Sequence, residues 1–152
     1  PEVFLDWAID GRFSPNGRWV AYAGLAMPFR PTDSFDVYVR AFPRSQKKWK
    51  VSTRPGIHPL WRKDGKELFY VELGNKVEKL MAVEVKAGTG SDATFEASPP
   101  RPLFEFLLGW GQPGQYPYAA SPDGQSFYVV TEVTKDSRFH VVLNWTELLP
   151  KK

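Results

Sequence analysis

Apolar and polar residues alternate with a period close to two along most of this chain, as they do in strands that bury one face. The stretch Phe35–Phe42 (Phe-Asp-Val-Tyr-Val-Arg-Ala-Phe) shows the pattern most strictly. A second long stretch of strand character follows at Lys79–Lys86. No segment has the apolar period of about 3.6 residues that predicts a helix. The pattern therefore predicts an all-β protein.

One hairpin motif recurs three times, at Phe13–Tyr22, Trp61–Tyr70 and Ala120–Val129. Each copy consists of a short strand, a tight turn and a second strand. At each turn, proline or lysine precedes asparagine or aspartate, and the glycine that follows supplies the positive φ of a type I turn that runs into a bulge. The predicted turn residues are Ser14, Pro15, Asn16, Gly17, Asp64, Gly65, Ser121, Pro122, Asp123 and Gly124.

The turn glycines recur at intervals of roughly 50 to 60 residues, and repeats of about 40–50 residues with several short strands are typical of propeller blades. The pattern predicts a lone strand at 1–9 and blade-like units at about 10–54, 55–108 and 109–149. The first two units are expected to have four strands and the third unit three. In the second unit, a long turn is expected from Ala87 to Pro102.

The composition excludes several classes of protein. Apolar residues make up 42% and aromatic residues 15% of the chain, which is too much for a disordered tail. There is no cysteine, so disulfides and thiolate metal sites are excluded. No apolar run has the length of a transmembrane helix. The net charge of +3 is smaller than the strongly basic charge expected of a dedicated nucleic-acid binder.

No catalytic or metal-binding pattern is evident in the sequence. The two histidines, His58 and His140, lie in different contexts without carboxylates at ligand spacing. Ser14 and Ser121 lack both a base and the Gly-x-Ser-x-Gly elbow of a nucleophile. We therefore predict no catalytic residue, no metal and no cofactor in this chain.

The densest basic segment lies between residues 40 and 54. It could contact phosphates or an anionic membrane surface. More often such a run is a solvated turn between edge strands, where lysine also discourages aggregation, and this interpretation is favoured over nucleic-acid binding. The segment contains Arg40, Arg44, Lys47, Lys48, Lys50 and Arg54.

A glycine- and proline-rich connection, residues 109–118, leads into the third hairpin. In propellers, connections of this kind line the mouth of the central channel, where aromatic and polar groups together can bind a ligand. The plainer interpretation is a loop anchored by its aromatic residues. The candidate ligand-binding residues are Trp110, Gln112, Gln115 and Tyr116.

The turn motif Ser-Pro-Asn/Asp-Gly-x-x-apolar-x-Tyr resembles the PD40 repeat of TolB-like propellers, a WD40-like group. The longer stretches resemble the last blades of the C-terminal propeller of bacterial serine/threonine protein kinases, and this resemblance covers nearly the whole chain. The stretches that carry it are Asp36–Pro43, Trp49–Thr53, Trp61–Tyr70, Leu80–Val85, Pro102–Glu105 and Val142–Trp145.

The resemblance implies a six-bladed ring, of which this chain supplies about three blades. It implies a non-catalytic sensing or protein-interaction module at the C-terminal end of a larger bacterial signalling protein, with an extracytoplasmic location favoured. The partner would be a protein or a small ligand at the propeller face. The chain carries no Gly-rich loop, His-Arg-Asp or Asp-Phe-Gly kinase motif, so kinase activity would belong to another part of such a parent.

Two alternatives remain open. One is the gating propeller of a prolyl-oligopeptidase-like hydrolase, and the other is a stand-alone propeller that binds sugars or peptides. The predicted strand count raises a further possibility, because the strand missing from the third unit matches the extra strand at 1–9. Two copies arranged head to tail could then complete one ring as a homodimer, which removes the open edges. The other possibilities are an open form with protected edges and a monomer curled into an irregular sheet.

Overall fold

The computed structural model describes residues 7–25, 34–43, 47–88, 94–108, 116–131 and 140–143. Within these ranges the chain is all-β, and its strands form antiparallel sheets, none of which closes on itself. The same ranges contain no helix, and hence none that could span a membrane.

The first sheet is a meander in which each of four strands pairs with the next. Residues Ala8 and Ile9, from the end of the predicted lone strand, pair with the second strand of this sheet. Residues 1–6 of that prediction lie outside the described ranges. The strands are β1 (Ala8–Phe13), β2 (Trp19–Gly24), β3 (Asp36–Ala41) and β4 (Lys48–Lys50).

The second sheet has five strands, and this corrects the predicted long turn at 87–102. Residues Phe95–Ala97 form a strand within that segment, and the next strand begins at Arg101. Both strands pair with β7, which at 10 residues is long enough to take one partner along each half. The strands are β5 (Gly56–Trp61), β6 (Glu67–Glu72), β7 (Glu78–Ala87), β8 (Phe95–Ala97) and β9 (Arg101–Phe106).

The third sheet is again a meander, with three strands in the described part of the chain. An isolated bridge between Leu108 and Thr131 joins it to the end of the second sheet. The strands are β10 (Tyr118–Ala120), β11 (Ser126–Val129) and β12 (His140–Leu143).

The three hairpin turns share one hydrogen-bond pattern. In the first, the Gly17 N–H donates to the Ser14 carbonyl at 2.8 Å, and Gly17 has a φ of 67°. The Asn16 side-chain oxygen accepts from the Ser14 hydroxyl and from the Arg18 N–H, at 2.7 and 3.1 Å. The Ser14 hydroxyl in turn accepts from the Trp19 N–H at 3.0 Å. Each turn therefore satisfies its own polar groups locally.

The second sheet packs between the other two. One face of β6 carries Leu68, which lies in an apolar cluster with Trp19 and Val39 of the first sheet. The opposite face carries Phe69, which lies in a second cluster with Phe127 of the third sheet. Because strand side chains alternate between faces, β6 can be buried on both sides, and all six of its residues are. The sheets are thus stacked in chain order.

The turn glycines predict a difference between two alanine variants. Gly17 and Gly124 both have positive φ, which costs a residue with a Cβ roughly 1–2 kcal/mol. A Cβ on Gly17 would meet nothing within 4 Å. A Cβ on Gly124 would lie 2.8 Å from Arg62 Cδ and 3.1 Å from Phe69 Cζ. We expect Gly17→Ala to lower the free energy of unfolding by about 1 kcal/mol.

Gly124→Ala should cost about 2–3 kcal/mol, because the strained φ is joined by a clash with side chains that cannot easily move. Urea denaturation of both variants measures the difference. Equal losses would show that Arg62 and Phe69 do not pack against the third turn as described.

Candidate functional site

The first strands of the first two sheets each carry a β-bulge at the same repeat position. The register shifts between Ile9 and Arg12 in β1, and between Ile57 and Leu60 in β5. Asp10 and His58 lie in these bulges with φ values of 58° and 54°. Such values are uncommon for residues other than glycine and often occur where a backbone is held for a function.

The two bulges place Asp10 and His58 side by side. Asp10 Oδ2 and His58 Nδ1 are 2.9 Å apart, and the side chains are only 10% and 16% exposed. The distance is short enough for an ion pair, yet neither atom has a hydrogen bond of acceptable angle to another described residue. A buried polar atom without a good partner is costly, so this pair retains hydrogen-bonding capacity.

Two tyrosines of the third unit bind the backbone of the bulges. The Tyr116 hydroxyl lies 2.8 Å from the Asp10 carbonyl and 3.3 Å from the Pro59 carbonyl. The Tyr118 hydroxyl donates to the His58 carbonyl at 2.7 Å. The start of the third unit is thereby tied to the first strands of both preceding sheets.

The Tyr116 ring is packed between polar side chains. Its centroid lies 5.2 Å from that of His58 and 4.0 Å from the guanidinium carbon of Arg12, in a cation–π contact. Burial raises the pKa of Tyr116 to about 12 and raises that of Tyr118 well above its usual value. Both hydroxyls therefore keep their protons and remain donors at neutral pH.

Asp10, Arg12, His58 and Tyr116 thus form one polar and aromatic cluster. It combines a carboxylate, a guanidinium and an imidazole with an aromatic ring, and Arg12 is exposed to solvent. The described residues contain no group of three or more His, Asp or Glu side chains that could hold a metal ion.

Of the residues predicted from sequence as a ligand patch, only Tyr116 lies in the described part of the chain. It joins the cluster, but its hydroxyl is used by backbone carbonyls. Trp110, Gln112 and Gln115 lie outside the described residues, so their role in a ligand patch stays a prediction.

Sequence reasoning missed the pairing of Asp10 with His58. A signal was present, because both residues stand seven positions before a turn glycine, Gly17 and Gly65 respectively. Equal positions in repeats become neighbours when the repeats stack.

Parts of the basic segment have local partners. Lys50 Nζ forms an ion pair with Asp36 at 2.7 Å, and Lys48 Nζ lies 4.7 Å from the centroid of the Tyr38 ring. Arg54 approaches Glu72 at 3.9 Å. Lys48 and Lys50 thus contact side chains of β3 in their own sheet, whereas Arg54 lies near β6 of the second sheet.

The raised pKa of Tyr116 predicts alkaline sensitivity. An unfolded tyrosine loses its proton near pH 10, whereas folded Tyr116 keeps it to about pH 12. The folded state therefore binds more protons between these values, and its stability falls as the pH rises through this window.

Tyr116→Phe should flatten this fall, and should lower stability at neutral pH by about 1 kcal/mol through the lost hydrogen bond. Urea denaturation at several pH values between 7 and 12 measures both effects. Tyr128→Phe, at a tyrosine that is 43% exposed, is the control that shows whether removing any tyrosine hydroxyl has the same effect. An identical alkaline slope for wild type and Tyr116→Phe would contradict the assignment.

No family model matches the chain, and a search of curated proteins finds no match.

Proposed function

We propose that this chain is a non-catalytic binding module built from three blades of a β-propeller. In this proposal the sheets are the blades, and β1, β5 and β10 are the inner strands around a central channel. The module is similar to the TolB-like propellers of bacterial serine/threonine kinases, and it serves a larger signalling protein as its sensing or interaction part.

The observation that carries the proposal is the stacking of the sheets in chain order. Each sheet meets the next face to face, and the first strands adjoin through Asp10, His58 and Tyr116. Blades of a propeller are related in this way, with their first strands nearest the axis. The polar cluster would then lie at the channel, where propellers commonly bind ligands.

The outward faces of the end sheets support a role for further blades. Phe13 and Phe42 pack edge to face on the first sheet at 5.0 Å, and are 57% and 42% exposed. Tyr128 and Val130 of the third unit are 43% and 42% exposed. In a ring, these faces would meet blades from the rest of a longer chain or from a second copy.

Binding and catalysis can be tested on one sample by NMR. The ¹⁵N-labelled protein is titrated with a panel of sugars and short peptides while the ligand signals are also followed. We expect a binder to shift the signals of Arg12, His58 and Tyr116 without forming a product. Conversion of a ligand would contradict the non-catalytic assignment, and a panel without any binder would contradict the binding role.

Matched variants test whether the ligand binds at the polar cluster. Asp10→Asn should weaken the binding of that ligand about tenfold, because one charged hydrogen bond is worth roughly 1.5–3 kcal/mol. Glu105→Gln, at a surface ion pair with Lys79, should leave binding unchanged. Equal effects of the two changes would place the binding site elsewhere.

Light scattering across a concentration series tests the pairing of two copies. A particle of twice 17.3 kDa supports ring closure by a homodimer. A monomer at all concentrations would exclude pairing and leave the remaining blades to a longer chain.

A further inference from the structure

The turns of the first two sheets enclose a cleft that is separate from the polar cluster. Its volume is about 380 Å³, within the range of about 300–1,000 Å³ that is typical of small-molecule sites. The first turn and β2, the second turn, and the end of β7 supply its walls. The lining residues include Ser14, Asn16, Trp19, Trp61, Asp64 and Lys66.

A difference between the repeats explains why the cleft lies between the first and second sheets. Three residues before the turn glycine, the second unit has Arg62 and the first has Ser14. The Arg62 side chain lies against the third turn: its Cδ is 2.8 Å from the position that a Cβ on Gly124 would take. The short Ser14 side chain instead turns back to Asn16 and Trp19 of its own unit, and so leaves space beside the second turn.

Two tryptophans line the cleft, and one of them has an indole N–H without a hydrogen-bond partner among the described residues. Trp19 and Trp61 are 1% and 7% exposed. Trp61 Nε1 donates to the Arg12 carbonyl at 3.1 Å. Trp19 Nε1 is buried and has no hydrogen-bond partner among the described residues. A buried donor of this kind is costly, and an acceptor that entered the cleft would relieve the cost.

The rim adds donors and little free negative charge. Asn16 Oδ1 already accepts two hydrogen bonds, which leaves the amide nitrogen as a donor. Both Asp64 oxygens accept from Arg62 at 2.8 Å, and this pairing lowers the pKa of Asp64 to about 2. Lys66 is exposed and also lines the cleft, so this lysine contributes a positive charge on that side.

We propose that this cleft binds the carboxylate of a ligand with a flat apolar body. The carboxylate accepts from the Lys66 ammonium, the Asn16 amide and the Trp19 indole, while the apolar body lies against Trp61 and Pro15. Charge-assisted hydrogen bonds of this kind are the strong ones. A free aromatic acid and the C-terminal carboxylate of a peptide that ends in an aromatic residue share this chemistry.

The test is a titration with phenylacetate followed by the indole N–H signals in ¹⁵N NMR spectra. We expect a saturable shift of the Trp19 signal, with the polar cluster at Asp10 and His58 unaffected. Phenylacetamide, which lacks the charge, should bind at least fivefold more weakly. A peptide that ends in phenylalanine is tested beside its amidated form. Stronger binding of the free carboxylate than of the amide, either for the peptide or for phenylacetate, supports the proposal.

Two lysines of one turn provide a matched pair of variants. Lys66→Gln should weaken phenylacetate binding about tenfold, whereas Lys63→Gln, at a lysine outside the lining of the cleft, should change it less than twofold. Ser14→Arg, which imitates the second unit, should fill the cleft and abolish binding in a folded protein. No saturable shift, equal effects of the two lysine variants, or binding that survives Ser14→Arg would overturn the proposal.

Discussion

Replacing Phe69 by alanine should lower the free energy of unfolding by about 3–5 kcal/mol, which is a large share of the total for a domain of this size. Phe69 is completely buried, and its ring meets that of Phe127 edge to face with centroids 5.0 Å apart. The substitution removes the ring from the centre of the contact between the second and third sheets and leaves a cavity there. Urea denaturation followed by circular dichroism measures the loss.

Phe13→Ala is the matched control. The same atoms are removed, but Phe13 is 57% exposed, so less apolar surface returns to water. We expect a loss below about 1 kcal/mol. Similar losses for the two variants would show that Phe69 does not lie between packed sheets.

The second large loss of stability is expected at Glu67, which is only 4% exposed. Its carboxylate accepts from Arg62 Nη1 at 2.7 Å and from Arg101 Nη2, so one buried anion lies between two cations. Glu67→Gln keeps the shape and removes the charge. Breaking a buried ion pair typically costs 3–5 kcal/mol. Because the arginine side chains are 22% and 41% exposed, water can partly solvate them, and we expect about 2–3 kcal/mol.

The control for Glu67 is Glu105→Gln. Glu105 pairs with Lys79 at 3.0 Å, but both side chains are well exposed. Surface pairs of this kind contribute at most about 1 kcal/mol. Urea denaturation of both variants in 1 M NaCl distinguishes them further, since salt screens the surface pair more than the buried one. A Glu67 variant as stable as the Glu105 variant would refute a structural role for the network.

The turns and most strands could be predicted from sequence because their causes are local. In Ser14–Gly17, a hydroxyl, a side-chain oxygen and a glycine act within four consecutive residues. The alternation of β3 likewise follows from neighbours along one strand. These signals do not depend on where the rest of the chain lies.

The fifth strand of the second sheet and the polar cluster could not be predicted, because their causes are distant in sequence. Phe95–Ala97 is short and pairs only because the end of β7 extends beyond its partner β9. The contact of the Tyr116 hydroxyl with the Asp10 carbonyl joins residues 106 positions apart. Alternation of side chains within a strand carries no information about such partners.

The arginine–glutamate network of the second sheet has a consequence for folding. Repeats of similar sequence can exchange strands with one another as the chain collapses, which is a common failure of repeat proteins. The buried Glu67 has both of its cations only when Arg101 of β9 joins Arg62 beside it, and the equivalent position is Trp19 in the first unit and Ser126 in the third. A wrongly placed β9 would leave that carboxylate without one of its cations. The network therefore favours the pairing of β9 within its own repeat over pairing with another repeat.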